Sequence, residues 1–318
     1  MSNIVFLNSS RVNFDDALDF SSLDNLGKVT KYEESEGFEI LDRVKNQDIV
    51  ITKELTIGRE LIEKFPSSVK LICEAGTGYN NIDIEAAKER NIAVCNVPGY
   101  SSEAVAQLVI TFILSLSSSL SEQQRMIENN NYSNFTKYLG VPHFEIQNKT
   151  LGVIGAGSIG QQVMKVAKAL GMNILVYNRS HKDLGDSSIK FVSFEELLKK
   201  SDFVTIHCPL TKDTKYLIDK SKLELMKPSS YIINTARGAI IKEVDLIEAL
   251  ENKIIAGAAL DVQESEPPEL NNPLFNRKNV ILTPHIGWKC IESRQRLLDI
   301  LAENIEAFIK EESINRIC

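Results

Sequence analysis

Thr150-Leu-Gly-Val-Ile-Gly-Ala-Gly-Ser-Ile-Gly160 is the stretch whose reading decides the fold of this chain. Its first five residues are apolar or β-branched and read as a buried strand, and Ser158–Leu170 has the pattern of a helix. Between them lies Gly155-x-Gly157-x-x-Gly160. The first glycine permits a tight turn, the second lets the backbone approach a pyrophosphate, and the third brings helix against strand. The N–H groups that open the helix, at Ser158, Ile159 and Gly160, then face phosphate charge. A second apolar run, Ile174–Tyr177, completes a strand–helix–strand unit. In that context the motif predicts a dinucleotide site.

The next position departs from the usual NAD pattern. An Asp or Glu about 20 residues on normally accepts hydrogen bonds from the ribose hydroxyls. Here the place holds Asn178, followed by Arg179, Ser180, His181 and Lys182. A neutral amide followed by cations does not repel a 2′-phosphate, and Arg179 offers a fork to grip one. The same residues also suit an exposed basic turn. The expectation leans to NADP, with NAD as the alternative.

Outward from this motif, short apolar runs alternate with amphipathic segments along the whole chain. Before it come the expected strands Ile4–Leu7, Ile49–Ile51, Leu71–Glu74 and Ile92–Asn96, with helices near Gly37–Lys45, Ile57–Lys64 and Ile82–Arg90. A long helical pattern runs from Ser102 to about Asn129, entered through Pro98-Gly-Tyr-Ser-Ser-Glu, where serine can cap it. After the motif follow the strands Phe203–Ile206, Tyr231–Asn234, Ile255–Val262 and Val280–Leu282, a helix opened by the capping box Ser193-Phe-Glu-Glu196, and a last helix over Cys290–Lys310. Strand and helix in turn predict parallel sheets with helical crossovers. The expected fold is α/β: two doubly wound parallel-sheet (Rossmann/flavodoxin-like) domains with a cleft between them. Residues 1–98 with 290–318 would form a discontinuous substrate-binding domain, and 99–289 the dinucleotide-binding domain.

Composition narrows the function classes. The 318 residues suffice for about two domains, and 43% hydrophobic with 25% charged residues is that of a soluble globular chain. A net charge of −7 argues against a nucleic-acid surface. Five scattered cysteines without a Cys-x-x-Cys pair suggest neither a disulfide framework nor a zinc site, so no metal is expected. The opening residues lack a basic leader, and Ala104–Leu116, the most apolar window, is too short to span a bilayer. A cytoplasmic protein without a membrane partner is expected.

Three further motifs carry chemistry. Tyr231-Ile-Ile-Asn-Thr-Ala-Arg-Gly238 puts Arg237 just past the carboxyl end of a strand, where open α/β sheets bind ligands. A guanidinium there can hold a carboxylate in bidentate fashion and polarise a neighbouring carbonyl; taken alone, it would more often be a surface salt bridge. Val280-Ile-Leu-Thr-Pro-His-Ile-Gly287 places His285 similarly, beside the single tryptophan, Trp288. Imidazole titrates near neutrality and can give or take a hydroxyl proton. Ala259-Leu-Asp-Val-Gln-Glu-Ser-Glu-Pro-Pro268 offers Asp261, Glu264 and Glu266 as a carboxylate partner, and the residue types do not choose among them.

Together these runs resemble the D-isomer-specific 2-hydroxyacid dehydrogenases along nearly the whole chain. The resemblance maps the family's substrate-binding arginine onto Arg237, its acid/base histidine onto His285 and the paired glutamate onto Glu266. It implies that Asp261 holds the nicotinamide carboxamide. It also implies that Gly76-Thr77-Gly78 is the loop whose N–H groups receive the substrate carboxylate, a stretch that otherwise reads as a glycine turn. Cys208, Pro209, Thr235, Ala236 and Gly287 complete the expected cofactor set. Asn96–Gln107 and His285-Ile-Gly-Trp-Lys289 look most like the glycerate dehydrogenase/hydroxypyruvate reductase group. The implied activity is reversible reduction of a small 2-oxo acid, hydroxypyruvate or glyoxylate first, by a homodimer that uses Ala104–Leu116 either as interface or as core. Two alternatives stand beside it: the same enzyme on a bulkier 2-oxo acid, and a dinucleotide-sensing regulator like the corepressors related to this family.

Overall fold

A computed structural model describes residues 2–180 and 184–318. The chain divides into two compact units, Met1–Ser101 with Trp288–Cys318, and Ser102–Gly287. The first is built on five parallel strands, β1 (Ser2–Phe6), β2 (Gly27–Lys31), β3 (Ile49–Thr52), β4 (Leu71–Glu74) and β5 (Ala93–Cys95), in the order β2-β1-β3-β4-β5. Alternate side chains of these strands leave by opposite faces, and both faces are covered. Ile4, Phe6, Ile49, Ile51 and Leu71 pack with Leu297, Leu301 and Ile305 of the closing helix Ile291–Ile309. Val5, Val50 and Ile72 pack with Ile62 and Ala86 on the other side. That double burial is why β3, β4 and β5 are near-continuous apolar runs.

The second unit contains seven parallel strands: β6 (Thr150–Ile154), β7 (Asn173–Tyr177), β8 (Lys190–Phe191), β9 (Phe203–Ile206), β10 (Tyr231–Asn234), β11 (Gly257–Leu260) and β12 (Val280–Leu282). Their order is β12-β11-β10-β9-β6-β7-β8. One face buries Leu151, Val153, Phe203 and Ile233 under helices Ser102–Ser117 and Ser158–Ala169. The other buries Val204, Ile206 and Ile232 with Leu246 and Leu250. Both sheets are the α/β architecture expected from the alternating pattern.

Three local expectations need correction. The edge strand β2 was not foreseen, because Gly27-Lys-Val-Thr-Lys31 is polar and half exposed. The helix expected over Ser102–Asn129 is two helices, Ser102–Ser117 and Leu120–Glu128, bent by 63°. Ser119 between them has a left-handed backbone, φ 48°, which no continuous right-handed helix accepts. The Ser102 hydroxyl is buried without a hydrogen-bond partner and so caps nothing. Ser193, by contrast, caps its helix by accepting the Glu196 N–H at 3.2 Å. Val109, Phe112 and Ile113 of the first helix are core residues. No single described helix is long and apolar enough to cross a membrane; the bent pair passes on length and composition together, but its first half is mostly buried.

Candidate active site

In the second unit the strand order reverses at β6, which lies between β9 and β7. A parallel sheet opens a crevice at the carboxyl ends of its strands where the order reverses. The loop leaving β6 is Gly155–Gly157, and the loop leaving β9 carries His207, Cys208 and Pro209. The two meet closely: a Cβ on Gly155 would stand 2.8 Å from the His207 carbonyl carbon and 2.9 Å from the Cys208 nitrogen. Gly155 also has φ +100°, so glycine is required twice over. Burial pushes the His207 imidazole down to about 3, and its Nε2 lies 2.9 Å from Thr205 Oγ1. His207 is therefore neutral at physiological pH. The Cys208 thiol is pushed up to about 11 by burial.

These residues fit a dinucleotide. Around Gly157 a Cβ would meet nothing within 4 Å, so the loop is open on the side from which a phosphate would come. Gly157 is the N-cap of Ser158–Ala169 and supplies no capping side chain. The first bond from this end is Gln161 N–H to Gly157 O at 3.0 Å, and the N–H groups of Ser158, Ile159 and Gly160 have no acceptor among the described residues. Three free donors at a helix start can receive an anion. Beyond β10, the Thr235 hydroxyl is buried without a partner, a polar atom left for a ligand.

Asn178 closes this region. Its Oδ1 accepts the Ala156 N–H at 3.2 Å, and its Nδ2 donates to Ser180 O at 2.7 Å. The amide thus ties the glycine loop to the turn after β7. Arg179 is exposed, and His181 and Lys182 of the basic turn lie outside the described residues.

The chemistry-bearing side chains follow β10, β11 and β12. Asn234 folds the turn after β10 by accepting the Ala236 N–H at 3.0 Å and donating to Arg237 O at 2.9 Å. The Arg237 guanidinium donates to Ala236 O at 2.7 Å and has no carboxylate ion-pair partner among the described residues. The surface salt bridge that a lone arginine suggests is not formed.

Asp261, at the end of β11, is 1% exposed and spends both oxygens on the loop after β12. Oδ1 accepts Thr283 Oγ1 at 2.6 Å and Ile286 N–H at 2.8 Å, and Oδ2 accepts Gly287 N–H at 2.8 Å. The Asp261 carbonyl also accepts His285 N–H at 2.8 Å. These bonds hold His285 at φ 52°, a left-handed conformation that costs a non-glycine residue about 1–2 kcal/mol. Of the three acids, Glu266 is the one bonded to the imidazole, Oε2 to Nδ1 at 2.9 Å, while its Oε1 accepts Gln263 N–H at 3.0 Å. Partial burial pulls the Glu266 carboxyl upward, but His285, the Gln263 N–H and Arg237 outweigh it and hold the group below its ordinary value. Glu264 instead accepts Tyr216 O–H and Glu243 N–H. With Nδ1 engaged, His285 Nε2 has no protein partner among the described residues.

In the first unit, Gly76-Thr77-Gly78 leaves β4. Two of its carbonyls are taken: Gly76 O accepts Val97 N–H at 2.9 Å and Thr77 O accepts Asn96 Nδ2 at 2.7 Å. Its three N–H groups have no acceptor among the described residues. Successive free N–H groups make an anion-binding concavity. Trp288 is 7% exposed and packs in the core of this unit. Sequence reasoning passed over Lys53, which lies beside this loop.

Residues 110–287 match the profile of the D-isomer specific 2-hydroxyacid dehydrogenase NAD binding domain. A hydroxypyruvate reductase of Blautia hydrogenotrophica is 35% identical over 94% of this chain and 94% of its own. A glyoxylate reductase of Thermococcus litoralis is 39% identical over 86% of this chain and 84% of its own. The structure superposes on an acyclic imino acid reductase in complex with NADPH and D-Arg with a TM-score of 0.87, at 30% identity, covering 99% of this chain and 100% of that one. The chain belongs to the D-isomer specific 2-hydroxyacid dehydrogenase family of nicotinamide-dependent oxidoreductases.

Proposed function

We propose that the protein reduces a small 2-oxo acid, hydroxypyruvate or glyoxylate first, with NADPH used at least as well as NADH. The observation that carries this reading is the pair His285 Nδ1–Glu266 Oε2 at 2.9 Å, with neither a partner for Nε2 nor an acid ion-paired with Arg237 among the described residues. Support for the substrate class comes from the relatives named hydroxypyruvate reductase and glyoxylate reductase.

In this reading the loops after β6, β9 and β10 hold the dinucleotide, through Gly155–Gly160, Cys208, Pro209, Thr235 and Ala236. Asp261 and Gly287 border the nicotinamide, and Asn178 and Arg179 the adenosine ribose. The chemistry that a bound reduced nicotinamide supplies is hydride delivery to the carbonyl carbon. His285 carries a proton on Nε2 and releases it to the carbonyl oxygen. Glu266 fixes the tautomer through Nδ1–H and stabilises the imidazolium. Arg237 and the Gly76–Gly78 N–H groups bind the substrate carboxylate, and Arg237 polarises the carbonyl as charge develops. The preference for NADPH rests on Asn178, whose neutral amide does not repel a 2′-phosphate, on exposed Arg179, and on the NADPH-bound neighbour.

The same reading makes the protein a homodimer. Leu120, Tyr132, Phe135, Tyr138 and Leu139 are exposed apolar side chains within one short segment of the nucleotide unit, as expected of a surface that a second copy covers. A panel of 2-oxo acids assayed with both reduced cofactors tests the proposal. Highest kcat/KM on hydroxypyruvate or glyoxylate supports it, highest efficiency on a branched 2-oxo acid moves it to the bulkier class, and cofactor binding without turnover favours a regulator.

A further inference from the structure

The first unit has its own point of strand reversal, between β1 and β3, and Lys53 is the first residue beyond β3. Its backbone is pinned there: Asn8, just past β1, accepts the Lys53 N–H at 2.9 Å and donates to its carbonyl at 2.6 Å. The side chain is 2% exposed, unusual for lysine. Its Nζ donates to Glu54 Oε1 at 2.7 Å and stands 4.0 Å from the centroid of the Trp288 ring. A cation over an indole face is stabilised out of water. The ammonium also lies against the glycine loop, because a Cβ on Gly76 would be 3.2 Å from Nζ. The same Cβ would be 3.3 Å from Glu74 Oε1, so glycine at position 76 leaves room for both groups.

We infer that Lys53 is an anion-recognition residue of the Gly76–Gly78 loop, its buried ammonium supplying the full positive charge with which the loop's free N–H groups attract a substrate carboxylate. This rests on the reading of that loop given under Proposed function. Three neutral amides orient a carboxylate, but a unit charge in a partly desolvated site adds attraction that amides alone do not. The lysine is only partly offset. Glu54 is about half exposed, and solvent screens it. Glu74 is wholly buried, and burial pushes it up to about 7 against the pull of Asn81 and Lys53, so near neutrality it carries a fraction of a charge.

The test is Lys53→Met in the full-length chain with saturating NADPH. The KM for hydroxypyruvate and glyoxylate should rise about tenfold to a hundredfold while kcat changes less than about threefold, the signature of lost uniform binding. Calorimetric binding of oxalate, a carboxylate with no reducible carbonyl, should weaken by a similar factor, with NADPH affinity unchanged. Gly76→Ala, which crowds Nζ without removing it, should raise KM by a smaller factor and decides the matter if the methionine variant does not fold. Unchanged KM and oxalate affinity in a folded variant would overturn the inference. If the wild-type chain binds oxalate through Lys53 yet reduces no 2-oxo acid, the anion site stands and the proposed reaction falls.

Discussion

In the reading proposed above, the two units bind an anion at the carboxyl edge of a parallel sheet by different means. In the nucleotide unit the loop after β6 runs straight into a 12-residue helix, and the free donors at its start carry the site. Among the described residues of that unit no lysine or arginine is buried. In the first unit the loop after β4 opens no helix until Ile84, so its N–H groups have no aligned turns behind them; there a buried ammonium stands beneath the loop. A helix start, with several aligned donors, suits a diphosphate that bears more than one negative charge. A short loop that must hold one small carboxylate gains more from a fixed unit charge.

Substitutions that act on one unit and spare the other break or sharpen this contrast. The largest effect is expected for His285→Ala, which should lower turnover by about 10²–10⁴ while leaving NADPH affinity nearly intact, as titration of cofactor fluorescence would record. Wild-type turnover in that variant would remove His285 from the chemistry. Arg237→Lys should come next, raising KM and lowering kcat for an overall loss of about tenfold to a hundredfold in kcat/KM, because a point charge replaces the planar fork. Steady-state kinetics with normal values would make Arg237 structural. The smallest effect concerns only the cofactor. Asn178→Asp keeps an acceptor for Ala156 N–H, gives up the donor to Ser180, and places a negative charge where a 2′-phosphate would lie. The NADPH/NADH efficiency ratio should fall by about tenfold, with the 2-oxo acid KM unmoved. A wild-type enzyme strongly preferring NADH would mean that Arg179 is only a solvated surface residue.

Much of the scaffold was legible in the residues because both faces of each sheet are buried. Runs such as Ile49-Val-Ile51 and Tyr231-Ile-Ile233 have no other comfortable environment. What escaped was what burial does not encode. Lys28, Thr30 and Lys31 make β2 look like a loop, and the serines at 117–119 do not announce a bend. The candidate site was legible where a motif carries it, as with Gly155–Gly160, Arg237 and His285. The anchoring of the His285 loop by both oxygens of Asp261 depends on neighbouring strands 22 to 26 residues apart, and no local pattern reveals it. Lys53 was invisible for a related reason. Thr52-Lys-Glu54 has the look of a solvated turn, and only the strand order buries the lysine beside Gly76.

The central claim is that the His285–Glu266 pair holds and delivers the proton, and the pH dependence of hydroxypyruvate reduction in Glu266→Gln against wild type tests it most directly. In the proposed reaction the imidazole gives up a proton, so activity should fall as pH rises. Glu266 is held ionised below its ordinary range by His285 and its other donors. In Glu266→Gln the imidazole loses its carboxylate partner, and the falling limb should move to lower pH with reduced kcat. An unchanged pH–rate profile would contradict the account and pass the role to another acid, such as Asp261 or Glu264.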